Sequence, residues 1–204
     1  ARTKTLVKRF RDAVSEDRLS TMAGKAAAIY GRLMKRSDFR FTRTYRRLVE
    51  GKNINRTSLL ATDYLNHFNE VVMLLEMVPD MPEILEDARD WQPRTYCEHF
   101  TDSTFSDRQL AVWAYENAPK VVIGPFEQLV ARVNNCILQA IEEIGTASGE
   151  LPPEHLRLLV NERLTLIKRL LEKIGSIING AAPPNTQAEI DALINADLAD
   201  RSDV

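Results

Sequence analysis

Apolar residues between positions 160 and 178 recur at alternating spacings of four and three, and this pattern constrains the fold more than any other feature of the chain. The stripe consists of Val160, Leu164, Ile167, Leu171, Ile174 and Ile178. Such spacing places every member on one face of an α-helix, where a neighbouring helix can cover it. A second stripe, at Leu159, Leu166, Leu170 and Ile177, lies beside the first. The segment is therefore predicted to be a long helix that contacts two neighbours, either within a helical bundle or in a homodimer.

Glycine and proline are few, with 8 and 9 in 204 residues, and they cut the rest of the chain into blocks of helical pattern. The predicted helices before the long one cover residues 3–14, 15–33, 42–50, 57–77, 82–91, 106–117 and 125–144. Residues 92–105, which follow Pro93, are predicted to be irregular. The alternating pattern of strands is nearly absent. The sequence thus predicts an all-α protein, with an antiparallel helical bundle over residues 1–180 whose first 50 residues are basic.

Residues 181–204 are predicted to form a linker and a separate short helix. Gly180 stops the long helix, and the adjacent Pro183 and Pro184 cannot continue it. Thr186 and Glu189 have the capping-box spacing that begins a new amphipathic helix. This tethered helix is predicted to bind a protein partner through Ile190, Asp191, Leu193, Ile194 and Leu198. The alternatives are that it packs on the bundle of its own chain or that it is partly disordered.

No apolar run approaches the ~18 residues that a membrane helix needs, so the protein is expected to be soluble, with no membrane span. Its first residues lack the apolar core of a secretory signal, and the cytoplasm is the expected location. Cys97 and Cys136 form neither a short pair nor a dense framework, which argues against disulfides and against a zinc site. Both are expected to pack as small apolar side chains.

The first 50 residues carry 14 lysines and arginines against 5 acidic residues, whereas the remainder is acidic. Arginines here alternate with aromatic residues such as Tyr45, which is typical of nucleic-acid surfaces, where arginines contact phosphates and aromatic rings stack on bases. The candidate residues for nucleic acid or another acidic partner are Arg36, Arg40, Arg43, Arg46 and Arg47. The alternative is that the aromatics pack in the core while the arginines stay solvated or pair with the acidic half.

Asp63, His67 and Glu70 form a polar cluster on a helix that is otherwise apolar. His67 occupies a seam position between Tyr64 and Val71, where a phosphorelay histidine, a metal ligand or a hydrogen-bonded core histidine are the possible interpretations. The Lys and Gly expected after a phosphorelay histidine are absent, which favours the core histidine.

No catalytic, metal or nucleotide motif stands out elsewhere. The Glu-x-x-His spacing of dimetal bundles, the nucleophile elbow and the glycine-rich phosphate loops are all missing from the sequence. The sequence therefore indicates no catalytic residue, no metal and no cofactor, and an enzyme of unidentified chemistry stays open as an alternative.

The segment Thr186-Gln187-Ala188-Glu189-Ile190-Asp191-Ala192-Leu193-Ile194 resembles the response-regulator-binding segments of two bacterial chemotaxis families, the flagellar switch protein FliM and the phosphatase CheZ. The CheZ family has the same order of helical bundle, linker and terminal helix. A fainter similarity covers residues 126–144, but Gln128 and Arg132 stand where that family has its catalytic Asp and Gln. The resemblance therefore implies docking to a receiver domain in two-component signalling, without phosphatase activity. A non-enzymatic interaction or adaptor protein is the function that the sequence favours.

Overall fold

The computed structural model describes residues 43–181, in which helices are joined by turns and loops and no strand occurs. Residues 43–48 are helical. The helices that follow are α1 (Asn66–Met77), α2 (Leu85–Asp90), α3 (Tyr96–Asp102), α4 (Arg108–Glu116), α5 (Lys120–Ala147) and α6 (Pro153–Ile178). Short 3-10 helices, Thr62–Leu65 and Pro82–Ile84, precede α1 and α2. The predicted all-α class is confirmed.

The two longest helices, α5 and α6, pack along each other. A short loop joins them, so they run antiparallel. Every member of the predicted stripe on α6, from Val160 to Ile178, is buried. On α5 the buried residues also recur every three or four positions, through Val133, Ile137 and Ile144. The apolar faces read from the sequence therefore form the centre of the bundle.

The long helix α6 also contacts α1 and the 3-10 turn before it, so it touches two neighbours as predicted. In its second stripe, Leu170 and Ile177 are buried, whereas Leu159 and Leu166 are half-buried. Part of this stripe is therefore covered by the chain itself. A homodimer through α6 stays a prediction.

The prediction of a helix from residue 57 was wrong for residues 57–61. The Asn55 side chain accepts hydrogen bonds from the backbone N–H groups two and three positions later, at 2.8 and 3.1 Å, which favours a turn over a helix. Leu59 has a φ of 64°, outside the helical region, and its side chain is buried. The Ser58 hydroxyl donates to the carbonyl of Ile178 at the end of α6. Contacts with α6 thus hold this segment as a loop.

Residues 92–105 are not irregular as predicted, because they contain α3. Thr95 begins this helix: its hydroxyl accepts from the Glu98 backbone N–H at 3.3 Å, and the Glu98 carboxylate accepts from the Thr95 N–H at 2.8 Å. Tyr96 and Phe100, one turn apart, are buried and anchor α3 on the core. The capping box was present in the sequence, but the preceding Pro93 suggested only a break.

Replacing Thr95 with alanine is expected to lower the free energy of unfolding by about 1 kcal/mol, because the first turn of α3 loses its side-chain cap. Thr101→Ala is the matched control, since the Thr101 hydroxyl donates to the Cys97 carbonyl one turn earlier in the same helix and does not cap the first turn. This control is expected to stay within about 0.5 kcal/mol of the wild type. Urea unfolding followed by circular dichroism measures both variants, and equal losses would contradict the role of the cap.

Helix α5 begins at Lys120 and not at Pro125 as predicted, so Pro125 lies inside its second turn. Val122 and Phe126 are buried, and their contacts extend the helix toward its N-terminus. Proline cannot donate the backbone hydrogen bond to the carbonyl four residues earlier. That carbonyl belongs to Val121, which is exposed, so water can satisfy it.

Several predicted features lie outside the described residues. These are the helices over 3–14 and 15–33, Arg36 and Arg40, and the linker and helix over 182–204.

The chain divides into two units between Arg43 and Thr44. Gly180 follows α6 with a φ of +86°, as expected for a residue that stops a helix. Within residues 43–181, no helix combines the length and apolar character needed to cross a bilayer.

Candidate functional site

An open cleft of about 430 Å³ lies between α1, the end of α2 and α3. Its volume falls in the range of small-molecule sites, roughly 300–1,000 Å³. The lining residues are Asn66, His67, Glu70, Leu74, Asp87, Asp90, Trp91, Gln92, Arg94, His99, Asp102 and Ser103. Both predicted polar cluster residues of α1, His67 and Glu70, are among them. The cleft is therefore the candidate functional site.

His67 lies in the first turn of α1 and is only 7% exposed. Its ring stacks on Trp91, with centroids 4.8 Å apart and an interplanar angle of 23°. The Trp91 indole N–H donates to the His67 backbone carbonyl at 2.9 Å. Since Trp91 directly follows α2, these two contacts fix the end of α2 against the start of α1 and set the width of the cleft.

The Nε2 atom of His67 is buried and has no hydrogen-bond partner among the described residues. The other ring nitrogen, Nδ1, is therefore the atom that bonds to the Gln92 backbone. This hydrogen bond favours the protonated ring. Burial dominates, however, and together with the charge of Arg94, and that of His99 when it is protonated, it lowers the pKa of His67 to about 4. At neutral pH the imidazole is uncharged, and Nε2 then presents a lone pair that accepts a hydrogen bond.

His99 on α3 is the second imidazole of the cleft, with its ring centroid 6.0 Å from that of His67. Burial is the main cause that lowers the pKa of His99, and a hydrogen bond with the backbone of Asp63 opposes it. The two rings are therefore both neutral at pH 7. A neutral pair of this kind accepts and donates hydrogen bonds without adding positive charge to the cleft.

Four carboxylates surround the two imidazoles: Glu70, Asp87, Asp90 and Asp102. The guanidinium of Arg94 also lines the cleft and lies 3.7 Å from the Asp102 carboxylate. With neutral imidazoles the cleft has a net charge of −3. No group of three or more His, Cys, Asp or Glu side chains among the described residues is close enough to hold a metal ion. The negative charge is spread over the walls and is not concentrated at one point.

These properties suit binding better than acid–base catalysis. An efficient general acid or base has a pKa near the working pH, whereas the pKa of His67 is about 4. His67 is buried, as the interpretation of a hydrogen-bonded core histidine expects, but its Nε2 has no hydrogen-bond partner among the described residues.

Asp63 and those predicted basic residues that the structure describes lie outside the cleft. The Asp63 carboxylate accepts a hydrogen bond from the Asn53 amide at 2.6 Å and does not line the cleft, so the predicted three-residue cluster is divided. Of the basic residues that the structure describes, Arg43 and Arg47 are exposed and Arg46 is half-buried. Tyr45 is half-buried and packs against the core.

Sequence reasoning missed most of the cleft. Trp91, Arg94, His99 and Asp102 come from or border the segment predicted to be irregular, and nothing in their spacing indicated that they face α1. The one available signal was the Thr95–Glu98 capping box, which places His99 and Asp102 on a helix. Both cysteines are free; Cys136 is buried on α5 as predicted, and Cys97 is half-buried.

Comparisons with protein-family models, with curated proteins and with solved structures find no match to this chain. The structure therefore defines only the structural class of the protein. It is a helical bundle with an acidic cleft that contains histidines.

Proposed function

We propose that this protein is a non-enzymatic adaptor of bacterial two-component or chemotaxis signalling, and that its C-terminal segment binds the receiver domain of a response regulator in the cytoplasm. The observation that carries the proposal is the segment Thr186–Ile194, whose residues resemble receiver-binding segments. Its position after a helical body and a proline-containing linker supports the same function.

The end of α6 supports separate roles for the helical bundle and for the C-terminal segment that follows Gly180. Buried apolar residues form one core that extends from Val49 to Ile178. The backbone leaves the helical conformation at Gly180, with its positive φ, and Pro183 and Pro184 follow in the sequence. A peptide tethered in this way encounters its partner at a high effective concentration once the body is held nearby.

The apolar residues of the tail have the spacing that groove-binding helices use. Ile190, Leu193, Ile194 and Leu198 stand at relative positions 0, 3, 4 and 8, which share one face when the segment is helical. Burying that face in an apolar groove of the partner provides the binding free energy, and the acidic residues beside it favour a groove with a basic rim.

Deleting residues 182–204 is expected to weaken binding to the cognate receiver domain by at least about 100-fold, because the apolar anchors are removed. Isothermal titration calorimetry with purified receiver domains, with and without the phosphoryl analogue beryllofluoride, measures this. Ile190→Glu and Leu193→Glu are expected to reproduce the loss in the full chain.

Ser202→Glu is the matched control, since it adds the same charge outside the apolar stripe, and its affinity is expected to stay at the wild-type value. The proposal is wrong if the truncated chain binds as tightly as the full chain, or if no receiver domain of the source organism binds the full chain in either state.

A further inference from the structure

We propose that the acidic C-terminal segment, residues 182–204, docks reversibly on a basic surface of its own chain beside the end of α6. This basic surface consists of Arg46, Arg47, Lys52 and Arg56. Docking covers the apolar face that the segment offers to a receiver domain, so a docked segment does not bind one. The docking stands by itself, and only its competition with receiver binding rests on the proposed function.

The distribution of charge favours this position. Residues 44–57 carry four basic side chains and one acidic side chain, whereas residues 58–181 carry ten basic and nineteen acidic side chains. Residues 182–204 carry one basic and five acidic side chains. Opposite net charges attract at a protein surface. Residues 44–57 therefore attract the C-terminal segment, and residues 58–181 as a whole repel it.

The basic surface has charge available for a partner. Arg47 is exposed and forms no ion pair with another residue among 43–181. Arg56 contacts one carboxylate, that of Glu50 at 3.1 Å, and both side chains are exposed. Lys52 lies 2.9 Å from the Asp107 carboxylate and contributes less. Arg47 and Arg56 are thus the main candidates to meet the acidic side chains of the C-terminal segment.

The basic surface lies where the C-terminal segment begins. A methyl group placed on Gly180 would lie 3.0 Å from the Thr57 side chain, which directly follows Arg56. The Arg56 guanidinium donates to the Glu50 carboxylate at 3.1 Å, and the Glu50 backbone N–H donates to the carbonyl of Arg47 at 3.2 Å. These contacts connect the end of α6 to Arg47 through adjacent residues.

The linker is long enough for the segment to reach this surface. Residues 181–185 span up to about 17 Å when extended, and a helix over residues 186–198 adds about 20 Å. The basic surface starts beside the first residue of the linker, so the segment can lie across it. Attachment through so short a linker gives an effective concentration on the order of 1 mM, at which weak contacts are sufficient.

Leu48 adds an apolar contact on the same surface. Its side chain is 52% exposed and directly follows Arg47. It shares a helix face with Tyr45, three positions earlier, which is half-buried. Covering an exposed leucine with other apolar side chains is favourable. The apolar face of the C-terminal segment supplies such side chains, with acidic residues beside them for the arginines.

Hydrogen–deuterium exchange of the full-length protein, followed by mass spectrometry without any receiver domain, tests the docking. A free helix of about 12 residues is only marginally stable in water, so its backbone amides exchange fast. We expect the amides of residues 186–198 to exchange at least about tenfold more slowly than those of a synthetic peptide of residues 182–204. This protection is expected to fall at high salt, because attraction between exposed charges is screened.

Arg47→Glu combined with Arg56→Glu is expected to remove most of the protection, because each change replaces an attraction with a repulsion. Arg157→Glu is the matched control. Like Arg56, Arg157 is exposed and pairs with one exposed carboxylate, that of Asp80. It lies near the start of α6, about 35 Å from Gly180 along the helix axis, so its replacement is expected to leave the protection unchanged.

Three results would overturn the docking. Residues 186–198 could exchange as fast as the free peptide, or Arg157→Glu could lower the protection as much as the double variant. The protection could also fall on dilution of the protein, which would place the segment on a second copy of the chain. None of these measurements contains a receiver domain, so the proposed function stands or fails separately in the calorimetric titration.

Competition with the receiver domain is measured by that titration. A docked segment is unavailable, so the variant with Arg47→Glu and Arg56→Glu is expected to bind the receiver domain at least about fivefold more tightly than the wild type. Arg157→Glu is expected to bind it as the wild type does. An unchanged affinity in the double variant would show that docking leaves the receiver-binding face accessible, which contradicts the competition.

Discussion

Tyr64→Ala is expected to lower the free energy of unfolding by about 3–5 kcal/mol, in the range measured for removing a large buried ring. Tyr64 is fully buried in the 3-10 turn before α1. Its ring lies 5.2 Å from the rings of Phe68 and Tyr96 and 5.8 Å from that of Phe126, so it joins α1, α3 and α5. Its hydroxyl donates to the Arg94 carbonyl at 2.8 Å. Urea unfolding followed by circular dichroism gives the loss.

Tyr64→Phe separates packing from hydrogen bonding. It keeps the ring and leaves one partly buried carbonyl without its donor, so a loss of about 1 kcal/mol is expected. Tyr64→Leu, with part of the apolar volume, is expected to fall between the two and remains measurable if the alanine variant is unfolded. A phenylalanine variant as unstable as the alanine variant would show that the aromatic contacts are not the main contribution.

Stability is expected to fall by about 2 kcal/mol between pH 6.5 and pH 4 through His67 alone. Its pKa is lowered from 6.5 to about 4 in the folded protein, first by burial and then by His99 and Arg94. In that interval the unfolded chain takes up a proton that the folded chain does not, so acid favours unfolding. The contribution is complete above pH 6.5 and is lost as the pH approaches 4. His99, whose pKa is also lowered, acts in the same direction.

His67→Gln is expected to reduce this pH dependence, because glutamine binds no proton in the range. The measurement is the difference between variant and wild type in the free energy of unfolding, taken once at pH 7 and once at pH 4.5. His155→Gln, at an exposed position of α6, controls for the loss of an imidazole. Parallel pH profiles for His67→Gln and wild type would contradict a depressed pKa at His67.

The sequence predicted helices best where a regular apolar stripe extends over several turns. The stripe from Val160 to Ile178 is buried throughout. Short elements were predicted less well. Residues 57–61 have a helical apolar pattern but form a loop, since Ser58 bonds to the end of α6. Such a contact joins residues 120 positions apart, and no local pattern contains it.

In the candidate cleft, too, local spacing predicted some features, and contacts between distant segments decided the others. Spacing placed His67 and Glu70 on one helix and marked them as unusual. It could not reveal that His99 would lie 6.0 Å from His67, or that Trp91 would cover its ring. Those distances depend on how α2 and α3 pack on α1, and many packings are compatible with the same helices.

By itself the sequence determined the all-α class, the buried face of α6, the end of that helix at Gly180 and a charge distribution with a basic first quarter. These follow from periodicity and backbone preference, which act within a few residues of one another. Only the tertiary structure decided that Leu59 takes a positive φ, that Asp63 bonds to Asn53, and that carboxylates of three helices share one cleft. Such features arise from contacts between distant segments, whose free energy depends on the packing of the whole bundle.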